Sequence, residues 1–259
     1  IGVNVTLWDD DGLNDIDSVI TTFLKIGSDS YGSTNSTPFN YINYASNPVI
    51  TTANGIPLEI SLIYKDGVVN AIFNRYIATK RYIAHAVTIN GTTFINETNL
   101  TEFRDWSGGG QGYGLAYVYE QAINGRYYMM AGNFSKAEAD VELDVFSSTD
   151  LINWDLNCTG ITTGGYKKNP AFSYVDGHWE GVFEEGSGSF TMHHWNSSTS
   201  DICGTWTKYS QVMGAGGNAW LNYSNNKWIM YYGDMSVATN NMNVSLAEGT
   251  NLESMSMVG

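Results

Sequence analysis

The chain has 259 residues, 26 of them acidic and 12 basic, for a net charge of −14. Nucleic acid and anionic lipid are thereby excluded as partners, because phosphate affinity rests on Lys and Arg contacts that so acidic a chain scarcely supplies. Disorder is excluded as well, since 42% apolar residues suffice for a core.

Only 15% of residues are charged, against roughly 25% in an average soluble domain, and the surface is rich instead in Asn, Ser, Thr, Gly and Tyr. That composition suits a secreted or surface-attached β-protein. No run of 18 apolar residues occurs, so no membrane insertion is expected, and a chain opening at Ile1 reads as a mature or excised product. Ten N-x-S/T triplets occur where roughly five would arise by chance. Asn35, Asn90, Asn96, Asn99, Asn157, Asn196 and Asn243 are the expected glycan acceptors among them.

Along the chain, short alternating runs rich in Val, Ile, Tyr, Phe and Trp recur between Gly, Asn and Asp clusters, and helical periodicity is weak. Residues 1–56 offer candidate strands at Val3–Trp8, Ser18–Ile26 and Phe39–Ala45. Between the first two lies the densest acidic run, in which Asp9, Asp11, Asn14, Asp15 and Asp17 alternate around Gly12. Alternate oxygen side chains about a glycine turn are what a hard cation needs. The run resembles calcium loops of the thrombospondin type 3 kind, and calcium is the expected cofactor. The competing reading is a solvated turn.

From residue 57 a repeat emerges. Asn169-Pro-Ala-Phe-Ser-Tyr174-Val-Asp176-Gly-His-Trp179 aligns without a gap on Asn218-Ala-Trp-Leu-Asn-Tyr223-Ser-Asn225-Asn-Lys-Trp228, 49 residues later. Glu59 through Gly67 fits the same frame, and Gly114 through Tyr127 fits it with a turn three residues longer. Each unit reads as strand, tight D-G or N-G turn, strand, followed by a third and a short fourth strand. Four-stranded units of about 50 residues that cannot bury their own faces must stack around an axis. The predicted fold is an all-β, five-bladed β-propeller in one domain, with blades at about 1–56, 57–112, 113–166, 167–215 and 216–259. A β-sandwich is the competitor, and it does not explain a gap-free repeat.

Ser147-Ser-Thr-Asp150-Leu-Ile-Asn-Trp154, and Asn169-Pro170 leading into Asp176-Gly177-His-Trp179, resemble the blades of five-bladed glycoside hydrolases of families 43, 32 and 62. The likeness spans about residues 57–235 and lies in the blade pattern. It implies a glycosidase-like scaffold with an oligosaccharide or surface glycan as partner. Family 43 enzymes place an Asp base in the first blade, a second Asp that tunes the acid, and a Glu acid in a later blade. The matching positions here are Asn4, Asn169 and Asn218, so that triad does not carry over.

Propeller geometry turns the repeat into a map, because the start of the innermost strand and the end of the second share one face. The leading positions are Asn4, Glu59, Gly114, Asn169 and Asn218. The returning positions are Arg75, Asn133, Glu185 and Asp234, with Glu184 one residue earlier. Glu59, Glu185 and Asp234 are the candidate catalytic acids, and Arg75, Asn133, Asn169, Glu184 and Asn218 the candidate sugar-binding residues. Opposed carboxylates about 5–5.5 Å apart would retain, and about 6.5–9.5 Å apart would invert, anomeric configuration. The competing function is a non-catalytic, glycosylated structural or adhesive module that meets neighbouring subunits of a surface assembly.

Cys158 follows the third strand of one blade and Cys203 lies in the corresponding connection of the next. An inter-blade disulfide is expected in an oxidising compartment, the alternative being two unpaired buried thiols. His193 and His194 are consecutive on a strand and point to opposite faces, so they do not form a metal pair.

Overall fold

The computed structural model describes residues 3–8, 18–23, 56–77, 80–88, 94–100, 106–107, 112–134, 141–162, 165–186, 191–214, 216–234 and 243–258. Their strands form four antiparallel sheets. The first holds β1 (Val3–Trp8), β2 (Ser18–Phe23), β3 (Ile56–Lys65), β4 (Val68–Ile77), β5 (Lys80–Thr88), β6 (Ile95–Asn99) and β7 (Trp106–Ser107). The second is β8 (Tyr113–Val118), β9 (Tyr127–Asn133), β10 (Glu142–Ser148) and β11 (Asp155–Cys158). The third runs β12 (Lys167–Val175), β13 (His178–Glu185), β14 (Thr191–Ser197) and β15 (Trp206–Met213). The fourth is β16 (Gly216–Ser224), β17 (Lys227–Asp234), β18 (Asn243–Gly249) and β19 (Ser256–Met257). A 3-10 turn at Leu252–Ser254 is the one helical segment among the described residues.

The architecture is an all-β propeller, but with four blades among the described residues where the sequence predicts five. The difference lies in the expected first blade. Its strands β1 and β2 pair with each other from Val3↔Phe23 to Trp8↔Ser18, and β1 joins β3 at Val5↔Ile60. Among the described residues the hairpin therefore extends the first sheet past its inner strand and makes no separate blade. The candidate strand Phe39–Ala45 lies outside the described residues.

Turn chemistry fixes the hairpins of the repeat. Asp66 and Gly67 have φ of 52° and 85°, Asp176 and Gly177 50° and 87°, and Asn225 and Asn226 54° and 59°. Two consecutive positive φ values give the type I′ turn, whose twist matches that of the strands it joins. Tryptophan then closes the outer loops of the second and third sheets onto their own backbone. Trp154 Nε1 donates to the Leu151 carbonyl at 3.1 Å, and Trp206 Nε1 to the Ile202 carbonyl at 2.8 Å.

Between blades the faces bury large side chains. Trp179, Phe172, Phe183 and Met192 of the third sheet are at most 1% exposed, in one apolar cluster with Leu221 and Met230 of the fourth and Leu143 and Val145 of the second. Full burial of each such side chain stabilises by about 1.5–3 kcal/mol. Around the axis β8 packs between β3 and β12, and β12 between β8 and β16.

Candidate binding site on the propeller axis

Every inner strand is broken at the same place. The pairing register shifts between Leu58 and Ser61 in β3, Gly114 and Tyr117 in β8, Lys168 and Ala171 in β12, and Gly217 and Trp220 in β16. The first residue inside each bulge has a left-handed backbone: Glu59 at φ 50°, Leu115 at 54°, Asn169 at 44° and Asn218 at 50°. Non-glycine residues are uncommon in this region, and such strain concentrates where function needs a side chain aimed against the local pleat.

The four bulges line one cavity of about 40 Å³. Glu59 and Ser61 come from β3, Tyr117 follows Leu115 on β8, Asn169 belongs to β12, and Asn218 and Trp220 to β16. At roughly 10–15 Å³ per water this volume holds about three waters. It is far below the roughly 300–1,000 Å³ of pockets that engulf a ligand, so it admits a small polar group and not a whole ring.

Behind the lining, acids and amides are paired. Asn74 Nδ2 donates to Glu59 Oε2 at 2.6 Å, and Asn169 Nδ2 donates to Glu184 Oε2 at 2.7 Å. The second Glu184 oxygen lies 2.8 Å from Lys168 Nζ, and Glu184 is 2% exposed. The Oδ1 atoms of Asn74, Asn169 and Asn218 are buried without a hydrogen-bond partner. Burial pushes the Tyr117 phenol well above its ordinary range, and its ring lies in the apolar cluster between blades against Phe172 at 5.4 Å. The polar chemistry of the lining is therefore one carboxylate and two amide oxygens, a set that hydrogen-bonds hydroxyl groups.

Glu59, Asn169 and Asn218, expected at the axial face, line the cavity, whereas Glu184, expected beside them, lies behind Asn169. Gly114 is corrected by one residue. Tyr117 pairs with Met130 as Ala171 pairs with Val182, so Leu115 stands where Asn169 stands.

Arg75, Asn133 and Glu185 face away from the cavity. Arg75 ion-pairs with Glu97 of its own sheet at 2.9 Å. Asn133 donates to Asp144 Oδ2 at 2.9 Å, beside the Tyr113 hydroxyl at 3.0 Å. Glu185 takes the Trp195 indole at 3.0 Å and Lys208 Nζ at 2.7 Å. Each lies one residue beyond Asn74, Gly132 or Glu184, and one step along a strand reverses the face.

Asp234 pairs through its backbone with Gly216, and its side chain lies outside the described residues, as does that of Asn4. Asp9, Asp11, Asn14, Asp15 and Asp17 also lie outside them. Among the described residues no group of three or more His, Cys, Asp or Glu is placed to hold a metal ion.

Cys158 and Cys203 form the expected disulfide between the second and third sheets. Asn96 and Asn157 are exposed, whereas Asn196 gives its Nδ2 to Glu180 at 3.3 Å. Asn99 is half-buried, and Asn35, Asn90 and the Asn243 side chain lie outside the described residues. Sequence reasoning missed Asn74, Leu115, Lys168 and Trp220. The available signal was the equal 15-residue separation of Glu59 from Asn74 and Asn169 from Glu184.

No protein-family profile and no curated protein sequence matches the chain. Solved structures do. A family 117 glycoside hydrolase of the marine bacterium Zobellia galactanivorans superposes with a TM-score of 0.64 at 10% identity, covering 78% of this chain and 69% of that one. An α-L-arabinofuranosidase of Podospora anserina, solved in complex with cellotriose, gives 0.60 at 10% identity, over 83% and 69%. An endo-1,4-β-xylanase of Bacteroides thetaiotaomicron gives 0.58 at 10% identity, over 82% and 79%. At these identities the likeness is one of fold.

Proposed function

We propose that this propeller binds neutral oligosaccharides at its axial face, on a scaffold of glycosidase ancestry, and that it binds them without turnover. The observation that carries the reading is the convergence of Glu59, Asn169 and Asn218 from three equivalent bulges onto one cavity. Trp220 on the same wall supplies an aromatic face for a ring. Hydrolysis needs an acid and a base on opposite sides of the bond. Glu59 is the one carboxylate among the described lining residues, while Glu184 and Glu185 are committed to lysines. An adhesive glycoprotein module outside the cell fits this arrangement better than a hydrolase, with Asn96 and Asn157 as its exposed sequons.

The test is calorimetric titration with xylo-, cello- and arabino-oligosaccharides, with product analysis of the same mixtures. Binding without released sugar is expected, weakened at least tenfold in Glu59→Gln and in Asn169→Ala. Absence of binding to every sugar overturns the assignment. Released sugar overturns its non-hydrolytic part.

A further inference from the structure

A chain of hydrogen-bonding and charged groups that takes no part in the axial cavity crosses from the third sheet to the fourth. Glu180 on β13 accepts from His178 Nε2 at 2.9 Å and from His194 Nε2 at 2.7 Å, each on a different carboxylate oxygen. Asn196 Nδ2 reaches the same carboxylate at 3.3 Å. Burial alone would raise the Glu180 carboxyl, yet the hydrogen bonds from His194 and His178 outweigh it and hold Glu180 below the usual range. Glu180 is therefore an anion wherever the fold is intact near neutrality.

His194 has a second side. With Nε2–H donated to Glu180, its Nδ1 is buried without a hydrogen-bond partner and faces Glu253 Oε1 at 3.8 Å. Glu253 belongs to the 3-10 turn Leu252–Ser254 that follows β18, and it also holds β15. Its Oε1 accepts from Ser210 Oγ at 2.7 Å and from the Ser210 backbone N–H at 3.3 Å. Those bonds keep the Glu253 carboxyl below its ordinary range.

The groups facing His194 are thus Glu180 and, through Glu180, His178 from β13, Tyr209 from β15 in a 4.8 Å stack, and Glu253 from the turn. The strand β16, also packed against β14, contributes no acidic or basic side chain. A neutral His194 presents a lone pair to an anion. A protonated one presents N–H to it.

We propose that His194 is a proton-operated latch that fastens the C-terminal segment 252–258 to the edge of the third sheet. In the neutral state the 3.8 Å gap from Nδ1 to Glu253 is open, and the hydrogen bonds that hold Glu253 among the described residues come from Ser210. Protonation at Nδ1 places a cation between two carboxylates, closes the gap to hydrogen-bond distance, and ties the fourth sheet to the third. The latch covers the N–H of Ser210 on an otherwise exposed edge strand, where an uncovered row of N–H and C=O groups invites pairing with another chain.

Hydrogen exchange of the full chain at pH 5.5 and pH 8, corrected for intrinsic rates, tests this. Protection of the Ser210 and 252–258 amides is expected to be several-fold higher at pH 5.5, and Glu253→Gln is expected to abolish that difference. A difference that persists in Glu253→Gln overturns the latch, as does protection independent of pH in the unaltered chain. Imidazole ¹⁵N spectra give the second readout, with Nδ1 of His194 unprotonated at pH 8 and protonated at pH 5.5. An Nδ1 proton present at both values overturns it.

Discussion

Asn169 donates to Glu184 across 2.7 Å, and this pair is the exchange of another: at the equivalent positions of the first sheet, Asn74 donates to Glu59 across 2.6 Å. In one blade the acid stands on the cavity wall and the amide behind it. In the other the amide stands on the wall and the acid behind. The same backbone thus presents either a charge or a dipole to the axis, and Lys168 accompanies the acid only where it is deeply buried.

That burial sets the size of the first expected effect. Glu184→Gln leaves the Lys168 ammonium without its counter-charge beside a residue only 2% exposed, and breaking a buried pair from one side costs about 3–5 kcal/mol. Denaturant unfolding measures it. Combining Lys168→Met with Glu184→Gln should recover most of the loss, and equal losses in the single and double variants would refute the pairing argument.

Asn218 sits at φ 50° with its Oδ1 unpartnered. Glycine adopts that backbone without strain, so Asn218→Gly is expected to leave stability unchanged or to raise it by up to about 1 kcal/mol. Sugar affinity should fall at the same time. A variant that is less stable by more than that amount would show that the side chain holds the bulge together.

The disulfide of Cys158 and Cys203 closes a separation of 45 residues. Loop entropy for such a ring amounts to about 4 kcal/mol at 25 °C. Cys158→Ser with Cys203→Ser is expected to unfold at clearly lower denaturant. The hairpins should keep their far-ultraviolet signal until that midpoint.

Glu120, immediately after β8, has a buried Oε2 without a hydrogen-bond partner, and burial pushes its carboxyl up to about 7 from an ordinary 4.5. A raised carboxyl favours the folded state fully below the unfolded value, and the contribution is lost as pH climbs from about 4.5 through about 7. Glu120→Gln removes that slope. The variant is expected to exceed the unaltered protein in stability at pH 8 by on the order of 2–3 kcal/mol, and an unchanged pH profile would disprove the assignment.

The repeat made much of this fold legible, because the type I′ turns at Asp66-Gly67 and Asp176-Gly177 and the closing residues Trp154 and Trp206 follow from residue type alone. It also put Glu59, Asn169 and Asn218 on the axis. The bulges were not legible. One extra residue in the strand carries no composition signal, and in β8 the longer turn hides it, so the repeat points to Gly114 where Leu115 stands. The same one-residue sensitivity explains Arg75, Asn133 and Glu185, each of which lies one step past Asn74, Gly132 or Glu184. The expected first blade failed for a different reason. A hairpin with strand pattern does not reveal whether it founds a sheet or joins one, and the Val5↔Ile60 bridge decides that through tertiary contact.

Leu115 makes the four bulges more than the wall of a cavity. Three sockets hold polar side chains and the fourth holds a leucine that is 7% exposed, yet the backbone turns through the same left-handed step in all of them. Shape and chemistry are therefore inherited separately: the frame dictates where a side chain stands and leaves its identity open to substitution. A lineage carrying such a frame can lose a reaction by exchanging a few side chains while its architecture persists, and can acquire a new specificity by the same route.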